Sequence, residues 1–327
     1  MEGKGEKMET IRPPGLKKGD KVMVITPSEP IGSYRNFNRG VGVLKSLGFQ
    51  VEFSKYYRSV YFYKAGLPEK RAEDINSAFA NSEIKGVFMA AGGFSVSEVL
   101  PLLDYELIKN NPKVIMGFSN GTILSNAIFA KTGLVTFYGF CVEYFFRRKT
   151  SYTIDSFLNM ASQGGIDFIH KSKWKNLRNG KIRGKLIGGN LTSFVQLIGT
   201  PYLPDLAKSI LFLEEHDDWS QDVEAHLMHL RLSEFFELGI VQGVIFGKFY
   251  NVSIGSGDRE YRNVKKPKGF TLYSIFKEKI PKHIPILANV DFGSITSLAT
   301  IPIGVEAEIF IRRGQRPQFK LTQSAVI

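Results

Sequence analysis

The chain has 327 residues, 43% of them hydrophobic and 23% charged, enough for two ordinary domains that each bury a core. No apolar run approaches the roughly 20 residues of a membrane helix, and Cys141, the only cysteine, excludes an intrachain disulfide and all-cysteine zinc sites. The net charge of +12 is spread along the chain, with short clusters only at 171–175 and 265–268; without a nucleic-acid-binding signature it reads as solvated surface.

Residues 1–10 are charged, have no apolar segment behind them, and are expected to form a disordered lead-in rather than a secretory signal. Residues 21–25 (KVMVI) form a first strand, closed by the turn Thr26-Pro27-Ser28. A helix then runs to Leu47, with Gly48 placed to end it. Residues 49–53 alternate as a second strand, and Pro68 opens a helix carrying Ala72, Ile75 and Phe79 at helical spacing. Strands follow at 86–90, running into Gly92-Gly93, at 113–116, ending at Gly117, and at 134–138. A helix from about 120 to 130 precedes Gly133. Strands alternating with helices imply an α/β fold with a doubly wound, mainly parallel sheet, whose ligands bind beyond the carboxyl ends of the strands.

Residues 147–179 are polar, basic and poorly periodic, and are expected to connect the N-terminal domain, 13–146, to a smaller C-terminal α/β domain with mixed strands, 180–327. In that domain Gly188-Gly189-Asn190 reads as a tight turn before a short helix. Residues 209–213 read as a buried strand ending in Glu214-Glu215. A helix with Leu227, Leu230 and Phe235 runs to Gly239. Further strands are expected at 240–246, 284–290 and 303–311, and an exposed loop at 251–268.

Gly117-Phe118-Ser119-Asn120-Gly121 fits G-x-S-x-G between an apolar strand and a helix. A serine in so sharp a turn needs small neighbours, and the helix N-terminus favours the negative charge formed on attack. The alternative is that Ser119 or Asn120 merely caps the helix. Gly92-Gly93 offers backbone N–H groups for an oxyanion hole, or marks a turn that needs positive φ; it is not a dinucleotide fingerprint.

In order along the chain, Gly92-Gly93, Leu100-Pro101-Leu102-Leu103-Asp104-Tyr105, Asn111-Pro112-Lys113, Gly117-Phe118-Ser119 and Thr136-Phe137-Tyr138-Gly139 resemble the LD-carboxypeptidase family of serine peptidases. That family includes muramoyl-tetrapeptide carboxypeptidases and microcin C immunity proteins. Ile187-Gly188-Gly189-Asn190-Leu191, Leu211-Phe212-Leu213-Glu214 and Pro302-Ile303-Gly304-Val305 continue the likeness over about 13–311. The resemblance implies a homodimer cutting an amide beside a D-amino acid or in a peptidyl conjugate; no cofactor is expected, and the single cysteine fits a cytoplasmic protein while also being compatible with export. By position it makes Ser119 the nucleophile and Glu214 the residue that orients the base. Gly92, Gly93 and Asn120 would then supply oxyanion and substrate contacts.

The pattern breaks at the base. Ser294 stands where the family has histidine, and a hydroxyl is no base near neutral pH. Asn120 replaces a family aspartate, and Phe94-Ser95-Val96 stands where the family is polar. These departures admit a second expectation, a catalytically impaired relative that binds a peptide- or nucleotide-like ligand. Among His170, His216, His226, His229 and His283, His216 is the candidate substitute, two residues beyond Glu214 on an extended strand. His226 and His229 have helical metal-ligand spacing but lack H-E-x-x-H, so no metal is expected. The Tyr56, Tyr57, Tyr61 and Tyr63 cluster reads as packing under a loop before it reads as a ligand-stacking surface.

Overall fold

The computed structural model describes residues 9–168, 171–237, 239–255, 265–294 and 297–327. The expected lead-in up to residue 8, His170, the centre of the 251–268 loop and the end of the Ser294 turn lie outside the described residues.

The N-terminal half builds a sheet from Lys21–Ile25 (β1), Gln50–Phe53 (β2), Ile84–Met89 (β3), Val114–Gly117 (β4) and Thr136–Tyr138 (β5). All five are parallel, in the order β5-β4-β3-β1-β2. The order reverses between β1 and β3, and a crevice opens at such a point beyond the strand ends. Helices Tyr34–Ser46 (α1), Pro68–Ala80 (α2), Tyr105–Asn110 (α3) and Gly121–Thr132 (α4) connect these strands. Ser33 caps α1 by accepting from Asn36 N, Pro68 starts α2, and Gly133 ends α4 in the left-handed region at φ 76°.

The 147–179 stretch is more ordered than its sequence suggests. Val142–Arg148 (α5) leads into Ser151–Ala161 (α6), and Lys175–Arg178 (β6) joins the second sheet. Phe157 of α6 is fully buried and meets Phe88 and Phe140 edge-on, at 5.8 and 5.3 Å. The segment therefore closes the first core rather than merely linking two units.

The second sheet is mixed. It takes β6, Gly180–Asn190 (β7), Ser209–His216 (β8), Val241–Tyr250 (β9), Ile286–Ala288 (β10), Glu306–Ile311 (β12) and Gln318–Leu321 (β13). Gly188-Gly189-Asn190 is not a tight turn but the end of β7, with Asn190 capping the short helix Leu191–Val195 (α7). The expected 303–311 strand is two strands in different sheets. Ile301–Ile303 (β11) returns to the first sheet, antiparallel to β5, and β12 pairs with β7. The remaining helices are Ser220–Leu232 (α8) and Leu272–Lys279 (α9).

One junction fixes the two sheets against each other. Asn126 of α4 donates to Gly188 O at 2.9 Å and accepts from Gly188 N, while Thr122 Oγ1 accepts from Asn190 N at 2.9 Å. Because Asn190 is in register with Glu214 on β8, the helix that follows Ser119 is locked to the strand that carries Glu214.

Candidate active site

Ser119 lies at the turn from β4 into α4 with φ 55°, a conformation that costs a non-glycine residue on the order of 1–3 kcal/mol. Packing explains the glycines on either side. A Cβ at Gly117 or Gly121 would overlap the sulfur of Met89, which ends the neighbouring β3. Gly92 faces the serine from the next strand end, where an added Cβ would lie 3.0 Å from Ser119 Cβ.

Ser119, Gly92 and Gly93 line one cleft of about 640 Å³, together with His216 and Ser294 from the second half of the chain. The cleft thus brings together most of the residues singled out in the sequence. Asn120 and Glu214 are the exceptions, because both are buried and neither lines the cleft. Asn120 Oδ1 accepts from Ser28 Oγ at 2.8 Å and Val96 N at 3.0 Å, so the amide ties the β1 and β3 exits to the nucleophile turn. The amide oxygen takes both bonds, while Nδ2 is buried without a hydrogen-bond partner among the described residues. Buried Arg71 holds the same loops from behind, donating to Pro27 O, Ser95 O and Glu98.

Glu214 is completely buried at the end of β8, and its Oε2 accepts from Ser294 N at 3.1 Å. Burial, then the neighbouring Glu215, push its pKa up to about 7, against the opposing influence of His216 and the Tyr138 hydroxyl. The folded chain thus keeps a proton that the unfolded chain releases near 4.5. Stability is expected to fall as pH rises from about 4.5 to about 7, by roughly 3 kcal/mol if the whole shift is expressed. Glu214→Gln should flatten that slope, as denaturant melts at about pH 5 and about pH 8 will show.

His216 ends β8, opposite Tyr250 of β9. Asp217 Oδ2 lies 3.4 Å from His216 Nδ1, and Asp217 Oδ1 accepts from Asn251 Nδ2 at 2.5 Å. Between Glu214 and His216, Glu215 turns the other way and accepts from Asn190 Nδ2, Thr192 N, Thr192 Oγ1 and His216 N. Glu215, Asp218 and His226 bring ligand-type atoms within 4.8 Å of one another, a donor set that suits a divalent cation. Four donors already surround Glu215, however, and they make it an anchor between β7, α7 and β8.

Sequence reading did not single out Glu29, Glu143, Tyr144, Arg147 or Tyr250, which also line the cleft. Glu143 accepts from Gly32 N and Ser33 N at 3.1 and 2.6 Å, joining segments 110 residues apart that no local pattern connects. Of the tyrosine cluster, Tyr57 stacks on Phe53 at 4.7 Å, and none of the four lines the cleft.

Comparison with known proteins places these features in a family. Residues 22–139 match the LD-carboxypeptidase N-terminal domain and residues 183–309 its C-terminal domain. A putative carboxypeptidase of Treponema pallidum is 32% identical over 88% of this chain and 89% of its own. The microcin C7 self-immunity protein MccF of Escherichia coli is 29% identical over 90% and 91%. The structure of MccF in complex with glutamyl sulfamoyl guanosine superposes with a TM-score of 0.85, at 26% identity over 97% of this chain and 99% of that one.

Proposed function

The chain belongs to the LD-carboxypeptidase family, and from that premise we propose that it is a serine hydrolase that opens an amide in a D-amino-acid-containing peptide, such as a recycled peptidoglycan fragment, or in a peptidyl conjugate. The observation that carries this reading is Ser119, held at positive φ on a strand-to-helix turn in a cleft that His216 also lines.

In this reading the Ser119 hydroxyl attacks the scissile carbonyl and gives its proton to His216. Asp217 stands beside Nδ1, so Nε2 is the nitrogen that receives the proton. Backbone N–H groups of Gly93 and Asn120 hold the oxyanion. The amine leaves with the proton from the imidazolium, and water then releases the acyl group from Ser119 by the same steps. Glu214 fixes the turn that carries Ser294. No described helix is long and apolar enough to cross a membrane. In the same proposal the chain is a cytoplasmic homodimer acting on a small peptide or conjugate.

A fluorophosphonate probe tests the reading. The intact chain is expected to be labelled, at a site that disappears in Ser119→Ala. An unlabelled parent would favour the second reading, a relative that keeps the cleft to bind a peptide- or nucleotide-like ligand. Ser294 at the family's histidine position is the observation behind that alternative.

A further inference from the structure

The cleft holds three carboxylates, and two of them have structural employment. Glu143 caps the entry to α1 through Gly32 N and Ser33 N, and Asp217 accepts a hydrogen bond from Asn251 Nδ2 with His216 Nδ1 3.4 Å away. Glu29 differs. It follows β1 at the point where the strand order reverses, it is partly buried, and its side chain makes no hydrogen bond or ion pair among the described residues. Burial alone acts on its carboxyl group, raising its pKa.

The position of Glu29 is constrained. Its backbone N–H donates to Gly92 O at 3.3 Å, and its side chain lies against Gly93, where φ is 129° and an added Cβ would collide with Glu29 Cγ and Cδ. A carboxylate without a partner, packed on the loop expected to hold an oxyanion, opposes the charge that forms on attack. A cation supplied by the substrate removes that opposition and satisfies the carboxylate.

We infer that Glu29 is a recognition site for a protonated amine carried by the substrate on the residue that contributes the scissile carbonyl. The inference rests on the hydrolase reading for its substrate but not for its test. It assigns the contact with that amine to Glu29, and it makes acylation of the amine a mark of the wrong substrate.

The test is calorimetric binding to the full chain carrying Ser119→Ala, which keeps the cleft and prevents turnover. The probes are L-lysyl-D-alanine and its doubly N-acetylated form. The free amine is expected to bind about tenfold or more tightly than the acetylated form, as a charge-assisted contact predicts. Adding Glu29→Gln should reduce that preference to about twofold or less while leaving the acetylated peptide unaffected. No measurable binding of the free amine, no preference for it, or an equal preference in Glu29→Gln would overturn the assignment. Each outcome stands whether or not Ser119 reacts with the fluorophosphonate, so the two readings fail separately.

Discussion

His216→Ala is expected to slow fluorophosphonate labelling of Ser119 by roughly 10²–10⁴-fold, the range that loss of a general base produces. The expectation follows from what the cleft contains. Ser294 offers only a hydroxyl, and the Lys and Arg side chains are acids at neutral pH; among the described residues Arg147 is the only one of them to line the cleft. Among the described residues His216 is the one imidazole there, with Asp217 Oδ2 3.4 Å from its Nδ1. Partial recovery with added imidazole would separate lost chemistry from lost structure. An unchanged rate would remove His216 from the mechanism and return the search to other groups around Ser119.

Much of the first sheet was legible because its punctuation is local. Pro68 at a helix start, Gly48 and Gly133 past helix ends, and Gly117 and Gly121 around the serine each meet a backbone or packing demand within a few residues. Helix α6 escaped because its buried face carries hydroxyls. Thr153 Oγ1 accepts from Leu298 N at 3.1 Å and Ser156 Oγ from Thr300 N at 2.9 Å, so polar residues occupy the positions that a periodicity argument fills with apolar ones. The split between β11 and β12 was hidden for another reason. Gly304 turns the chain at φ 91°, but the alternation of apolar residues continues on either side while the strand changes sheets.

The candidate site divides along the same line. Ser119, Gly92 and Gly93 could be read from strand-end chemistry, and Glu214 from its place after an apolar strand. Glu29 and Glu143 could not be told from surface acids, because only the tertiary fold brings them against Gly93 and α1. Asn120 looked like a contact for the oxyanion by sequence position. Its side chain turns out to fasten the loops below, which leaves its backbone N–H as the group that serves the proposed chemistry.

Ser294→His is expected to restore a second base and to raise the labelling rate of the His216→Ala chain by about 10²-fold or more. The reasons are geometric. Ser294 lines the cleft with Ser119, its N–H is held by Glu214 Oε2, and its Oγ makes no hydrogen bond among the described residues. Ser294 Oγ itself is buried, so the imidazole has to turn toward the cleft that the residue lines, and a fall in melting temperature would register any overpacking cost. The imidazole would stand beside a carboxylate that burial keeps half-protonated near pH 7, so the restored activity should increase as Glu214 ionises and should weaken in Ser294→His/Glu214→Gln. In the parent background the same change should add little if His216 already serves as base. A large gain there, with no loss in His216→Ala alone, would instead mean that the chain keeps the family's scaffold without its base and that the cleft binds rather than cuts.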